Sequence, residues 1–343
     1  MTHDIWILGA SGRVGRAVAA VLAARKLPLV LVGRDAAKLR EFAGSARVVE
    51  AAGIAEIAAQ LPRDAVVVNT IGPFAETAPP IAAAAFRYVD VSNELDAITA
   101  LLAMDAAAKA SGRTLVAGAG FGFVSTESVV RTLCANRPTP ARVRVDSIPF
   151  VAGSGVVGDA LAASIVGVLA GGGRRYRDGR LVRARPGSEA ERITLPDGAV
   201  VTTGAVPAGD LLGAQLASGA PDVVACTSEV PMTAASRVML PIVSSLASLA
   251  WFRRRLQRMI ARTVVKAPTH GRTSSWARAR VEWPDGETRE AWFRAGDGMT
   301  FTAASTAEVA ARLATDDVAA GAFTACGLFG PDLARAAGAT IEG

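Results

Sequence analysis

The run Ile5-Trp6-Ile7-Leu8-Gly9-Ala10-Ser11-Gly12-Arg13-Val14-Gly15-Arg16 constrains this chain more than any other stretch. An apolar strand enters three glycines at i, i+3 and i+6 and leaves into an alanine-rich helix. That order is the opening of a dinucleotide-binding fold. Gly9 permits a tight turn, Gly12 lets backbone approach a pyrophosphate, and Gly15 lets helix and strand pack closely. The helix N-terminus faces the anion, with Ser11, Arg13 and Val14 completing the candidate contacts. A second apolar strand, Leu29 to Val32, ends at Gly33-Arg34-Asp35. An NAD-selective site would carry a carboxylate at Gly33. Arg34, with Lys38 one helical turn on, instead offers charge to a 2′-phosphate, so NADP is the expected cofactor. Asp35 belongs to the same candidate set and is also read as the cap of a helix beginning at Ala36.

Size and composition fit a globular enzyme of two domains: 343 residues, 51% hydrophobic and 20% charged. The net charge of +6 could suggest nucleic acid, but the arginines read as scattered and aromatic residues make up only 5%, so no nucleic-acid partner is expected. Cys134, Cys226 and Cys326 are far apart and only two histidines are present, so neither a metal site nor a disulfide framework is expected. No secretory signal is visible before the first strand, and the cytoplasm is the expected location.

Beyond the glycine turn, Arg47 to Val49, Ala65 to Asn69, Tyr88 to Val91 and Thr114 to Ala117 alternate with helical stretches. This predicts an α/β fold with a Rossmann-type doubly wound parallel sheet. From about Arg142 the rhythm changes to short strands with Asp-Gly turns, which predicts a second, α+β domain with a mainly antiparallel sheet. The expected partition is 1–140 for NADP binding, 141–300 for substrate and dimerisation, and 301–343 as C-terminal helices returning to the first domain. A homodimer is the expected assembly. The clearest hairpin pairs Ser275–Trp283 with Glu287–Arg294, leaving Trp276, Arg278, Arg280 and Glu282 on a wet face. A helix from Thr306 to Leu313 is expected behind a Ser305/Thr306 cap, and another from Pro331 to Ala337. The segment Leu240 to Val265 is apolar to Phe252 and then basic from Arg253-Arg254-Arg255. Its apolar run is shorter than the roughly 20 residues that span a bilayer. Either a packed core or dimer helix, or one lying on a membrane surface, fits this pattern.

Polar residues and glycines gather where ligands of open parallel sheets bind, at the carboxyl ends of strands. One strand ends in Asn69-Thr70-Ile71-Gly72-Pro73-Phe74, and Asn69, Thr70, Gly72, Pro73 and Phe74 are candidate cofactor contacts. The next gives Tyr88-Val89-Asp90-Val91-Ser92-Asn93-Glu94, with Asp90 a further cofactor candidate. A third ends in Gly118-Ala119-Gly120-Phe121, where Gly118, Gly120 and Phe121 suggest close backbone approach. With these four motifs in order, the chain resembles the saccharopine dehydrogenase-like oxidoreductases. Members carry the glycine loop, a G-P-F turn, a Y-x-D-x-x-x-E segment and a glycine–phenylalanine turn before a helix. Asp297 to Thr302, Gly321 to Thr324 and Phe329-Gly330 extend the resemblance, while Gly153 to Thr227 matches less. It implies a Rossmann domain with an antiparallel substrate and dimerisation domain, NADP or NAD as cofactor, and reduction of carbon–nitrogen or carbon–carbon double bonds. The related trans-acting enoyl reductases usually carry C-G-F-D-S-I-P where this chain has Ala119 to Ser125.

A short-chain dehydrogenase needs a tyrosine with a lysine four residues on; Tyr88 is followed at that distance by Ser92, and Tyr176 by Arg180. An iminium is activated before it binds and needs only a carboxylate to stabilise its charge. Asp90, Glu94 and Asp146 are the carboxylate candidates, with Glu94 the expected catalytic group and Tyr88 or Ser92 orienting the substrate. The apolar stretch Val156 to Leu169, with Asp159 its only charge, reads as the wall of an apolar pocket or as a buried helix opened by that charge. The expected function is therefore NADPH-dependent, metal-free reduction of an imine in a small, largely apolar substrate. The alternatives are an enoyl reductase acting on a polyketide or lipid-like product, and a non-catalytic NADP-binding protein of a lipid surface.

Overall fold

The computed structural model describes residues 3–153, 155–206, 208–230, 232–247, 249–265 and 272–343. The chain begins with β1 (Ile5–Leu8), α1 (Arg13–Ala24), β2 (Leu29–Gly33), α2 (Ala36–Arg40), β3 (Arg47–Glu50), α3 (Ile54–Gln60), β4 (Val66–Asn69), α4 (Phe74–Ala84), β5 (Arg87–Asp90), α5 (Leu95–Leu102), α6 (Asp105–Ala110), β6 (Thr114–Ala117) and α7 (Phe121–Cys134). Next come β7 (Arg142–Ile148), β8 (Gly155–Val156), α8 (Asp159–Ala170), β9 (Arg174–Arg177), β10 (Arg180–Arg183), β11 (Glu191–Thr194), β12 (Val200–Ala205), α9 (Asp210–Ser218) and β13 (Asp222–Thr227). The remainder is α10 (Ala234–Ala247), α11 (Ala250–Ala261), β14 (Val264–Val265), β15 (Ser275–Glu282), β16 (Thr288–Ala295), α12 (Gly298–Thr315), β17 (Gly321–Thr324), α13 (Ala325–Phe329), α14 (Asp332–Ala336) and β18 (Thr340–Glu342). Two compact units result, one of Met1–Phe121 with Met299–Gly338, the other of Gly122–Gly298 with Ala339–Gly343.

The first unit holds a parallel sheet in the order β17-β6-β5-β4-β1-β2-β3. Its central strands are continuous apolar runs because helices cover both faces of such a sheet, and every residue of β1 and β4 is buried. α1 turns Gly15, Val18, Ala19 and Leu22 inward, a stripe at helical spacing. β17, in a stretch expected to be helical, is a strand beside β6, with Gly321 opposite Thr114. α12 also starts earlier than the expected cap. Ser305 and Thr306 sit mid-helix, and their hydroxyls donate to the Ala119 carbonyl instead of capping.

The second unit's main sheet runs β10-β9-β13-β7-β15-β16-β18, with the β11–β12 hairpin joined to β13. β7 and β13 pair in parallel and the other described pairs of this sheet are antiparallel. The β15–β16 hairpin has the expected register, with Arg278 opposite Trp292, but its polar face is wet only at Arg280 and Glu282. Trp276 and Arg278 are only 3% and 4% exposed. The cause is the β11–β12 hairpin, whose Ile193 packs with Trp276 and Ile148 while Glu191 binds Arg278 at 3.0 Å. On that covered face Asp146 accepts from Thr203 Oγ1 at 2.6 Å and pairs with Arg144 and Arg278 at 2.9 and 2.8 Å. These partners satisfy the carboxylate, which removes Asp146 from the candidates for stabilising an iminium. The segment from Leu240 forms two helices, α10 and α11, with Pro241 inside the first. The side chain of Asp159 lies outside the described residues.

Candidate functional site

β1 is flanked by β2 on one side and β4 on the other, the topological switch point of the sheet. Leu8 is in register with Val32 and with Asn69, so Gly9, Gly33 and Thr70 follow one another across a single carboxyl edge. Gly9 takes φ +74°, and the N–H groups of Gly9 and Ala10 both donate to the Val32 carbonyl, at 3.1 and 3.2 Å. The turn therefore folds tightly over β2. A Cβ on Gly15 would lie 2.5 Å from the Gly9 oxygen and 2.9 Å from Thr70 Oγ1, so only glycine lets α1 start this close to the strand. A Cβ on Gly12 would touch only the Gly9 oxygen, at 3.1 Å. α1 has no side-chain cap, and its N-terminus opens beside this turn as an anion-favouring pole. At the end of β2, Arg34 and Lys38 are exposed, and Asp35 Oδ1 accepts the Lys38 N–H at 3.0 Å as the cap of α2. An open glycine turn, an uncapped helix and two exposed cations fit a phosphorylated dinucleotide.

The polar residues of the next two strands are arranged differently. Asn69, fully buried, donates to Thr77 Oγ1 and to the Tyr88 hydroxyl at 3.4 and 3.1 Å and accepts from the Ile71 N–H at 3.0 Å. Tyr88, also fully buried, donates to Asp90 Oδ2 at 2.9 Å. Asp90 Oδ1 accepts the N–H groups of Ser92 and Gly118, both at 3.0 Å. Ser92 Oγ accepts the Glu94 N–H at 3.2 Å, and the Glu94 carboxylate accepts from Phe74 and Ala75 N–H at 3.1 and 3.0 Å. One chain of hydrogen bonds thus joins the ends of β4, β5 and β6 and holds the Gly72-Pro73-Phe74 turn, whose Gly72–Pro73 peptide is cis. Burial pushes the Asp90 carboxyl up to about 6, against the opposing pull of the Gly118 and Ser92 amides and the Tyr88 hydroxyl. Burial, with the Asp90 charge beside it, raises the Tyr88 phenol.

Glu94, Tyr88 and Ser92 are the groups expected from the sequence to meet substrate. All three are buried, with the Tyr88 hydroxyl bonded to the Asn69 and Asp90 side chains and the Glu94 carboxylate to backbone, and with Glu94 8% exposed and Ser92 1%. Asn69 and Asp90 share that inward orientation, whereas Thr70, Gly72 and Pro73 are half-buried at the turns. Thr70 Oγ1 donates to the Leu8 carbonyl at 2.7 Å, which ties the second turn to the first. Gly118, Gly120 and Phe121 form the third turn, where the Phe121 N–H donates to Thr302 Oγ1 at 3.0 Å. Sequence reasoning missed Thr77, Thr302 and Ser305; the spacing of Thr302, Ser305 and Thr306 on one helix face was the available signal. It also passed over Asn93. The Asn93 Oδ1 atom is buried and has no hydrogen-bond partner among the described residues.

Residues 5–116 match the family model described as the saccharopine dehydrogenase NADP binding domain. Among solved structures, apo histidine-tagged saccharopine dehydrogenase (L-Glu forming) from Saccharomyces cerevisiae is 13% identical, with 98% of this chain and 96% of that one covered at a TM-score of 0.59. At that identity the likeness is one of fold. A myo-inositol dehydrogenase from Corynebacterium glutamicum ATCC 13032 shows 13% identity over 98% of this chain and 95% of its own, with a TM-score of 0.43. A probable dehydrogenase from Thermotoga maritima shows 12% over 97% and 93%, at 0.44. No curated protein matches the chain.

Proposed function

We propose, for a chain whose residues 5–116 match the saccharopine dehydrogenase NADP binding domain, an oxidoreductase that uses NADPH to reduce a C=N bond in a small, largely apolar substrate. In this reading the glycine turn and the start of α1 take the pyrophosphate, and Arg34 and Lys38 take the 2′-phosphate. The turns at Gly72-Pro73-Phe74 and Gly118 to Phe121 wall the nicotinamide and keep water from it. When bound, the nicotinamide supplies the hydride.

The observation that carries the C=N preference is the inward orientation of the hydroxyls and acids at the ends of β4 and β5. Tyr88, Asp90, Ser92 and Glu94 hold turns together, so none is poised to protonate a carbonyl oxygen as hydride arrives. Tyr176 lies on β9, in the other sheet. A substrate that arrives as an iminium already carries its proton, so it needs no acid here, and the carboxylates expected to face its charge, Asp90, Glu94 and Asp146, are engaged by protein partners instead. Glu94, Tyr88 and Ser92 then act as positioning residues for the nicotinamide-side turn.

Fluorescence titration with NADPH and NADH tests the cofactor half of this reading. NADPH is expected to bind more tightly, and Arg34→Ala to weaken NADPH alone by roughly 10- to 100-fold, the value of one or two charge-assisted hydrogen bonds. Equal loss of both nucleotides would remove the 2′-phosphate role. The reaction is tested by NADPH oxidation with cyclic imines against unsaturated carbonyl compounds. Turnover of the latter alone would overturn the imine reading in favour of enoyl reduction.

A further inference from the structure

We propose that α10 and α11 dock this chain on the anionic surface of a phospholipid bilayer. The first observation is a helix whose water-facing side is largely apolar. Ala235, Val238, Met239, Ile242, Ser245 and Leu246 form the exposed face of α10, and Val238, Met239 and Ile242 are 58%, 51% and 48% exposed. A water-facing helix side is ordinarily polar. The second is the corner that follows, where Leu249 and Trp251 are 45% and 64% exposed. On α11 the residues that share a face with Trp251 are Arg254, Arg255 and Arg258, all exposed. An aromatic ring among arginines beside an apolar strip is the composition of the bilayer interface.

The third observation is where the charge of the chain resides. Residues 234–265 carry six arginines and no acid, leaving 31 Lys and Arg against 31 Asp and Glu elsewhere, so this segment accounts for the whole net charge of +6. A second basic stretch, residues 174–185, carries six arginines and one acid, but in 234–265 the arginines adjoin the exposed apolar face of α10. A second copy of the chain would bring arginine against arginine, and a nucleic acid would leave the apolar face of α10 in water. An anionic bilayer surface satisfies both faces. No helix among the described residues is long and apolar enough to cross a membrane, so α10 and α11 lie on the surface and do not span it.

This inference does not rest on the reductase reading, and its test reads no turnover. The full chain is sedimented with vesicles of phosphatidylcholine alone and of phosphatidylcholine mixed with phosphatidylglycerol, at low and high salt. Pelleting is expected with the mixed vesicles only, weakening as salt screens the arginines. Arg254→Glu with Arg255→Glu and Arg258→Glu should weaken partitioning at least about a hundredfold, at roughly fivefold per arginine near an anionic surface. Leu246→Ser with Leu249→Ser should also weaken it at unchanged melting temperature, and the blue shift of fluorescence on vesicles should vanish in Trp251→Phe. Failure to pellet with mixed vesicles, equal pelleting with both, or full binding by the charge-reversed chain would overturn the proposal. A dimer in light scattering that Leu246→Ser dissolves would overturn it too, assigning the face to a second copy.

Discussion

Asp90 shows how one side chain can couple the nucleotide-binding edge to pH. Its folded-state carboxyl titrates at about 6 against an ordinary value of 3.8, so between those values the folded chain holds a proton that the unfolded chain has released. The contribution of Asp90 to stability is therefore greatest below this window, falls as pH rises through it, and levels above about 6. The loss is on the order of 3 kcal/mol, and thermal melts from pH 4 to 7 should show it. Asp90→Asn should flatten that profile. At Gly15 the constraint is steric: alanine would meet Gly9 and Ala10 backbone, and Gly15→Ala is expected to destabilise by about 1–3 kcal/mol and weaken nucleotide binding in titration. The glycines were legible from sequence because their spacing follows from the turn itself. The roles of Tyr88, Ser92 and Glu94 were not, since a dense polar run at a strand end looks the same whether it meets a ligand or braces the loops that do.

Among the elements, α12 supports the site most plainly. It bears on the β6–α7 turn through Thr302, Ser305 and Thr306, across more than 180 positions of sequence. Thr302→Val leaves the Phe121 N–H without this acceptor and should cost about 1–3 kcal/mol, read as a lower melting temperature together with weaker NADPH binding. In the second sheet, Arg278→Met strips Asp146 of one of its two guanidinium partners and should destabilise by about 3–5 kcal/mol in denaturant titration. The β15–β16 register was readable from alternation and an Asp-Gly turn. That Trp276 and Arg278 on its polar face would be covered was not, because the covering hairpin, β11–β12, is separated from it in sequence and joins through β13. A Ser-Thr pair followed by Glu308 likewise resembles a helix cap, yet Glu308 pairs with Arg25 and Arg312 at 2.7 and 2.8 Å.

At the scale of the whole molecule the chain passes between its two units after Phe121, after Gly298 and after Gly338. Removing residues 339–343 takes β18 from the edge of β16 and should lower the melting temperature of the second sheet while leaving nucleotide titration unchanged. The same interleaving sets an order of events on the ribosome. β6 leaves it early, but its neighbour β17 lies some 200 residues on, Gly321 standing opposite Thr114. At roughly 5–20 residues per second that interval is about 10–40 s. Throughout it the nascent parallel sheet has β6 as a bare edge, and the Ala119 carbonyl awaits the hydroxyls of α12. The first domain to emerge is thus among the last to be completed, and slower translation prolongs the time for which its open strand is offered to other chains.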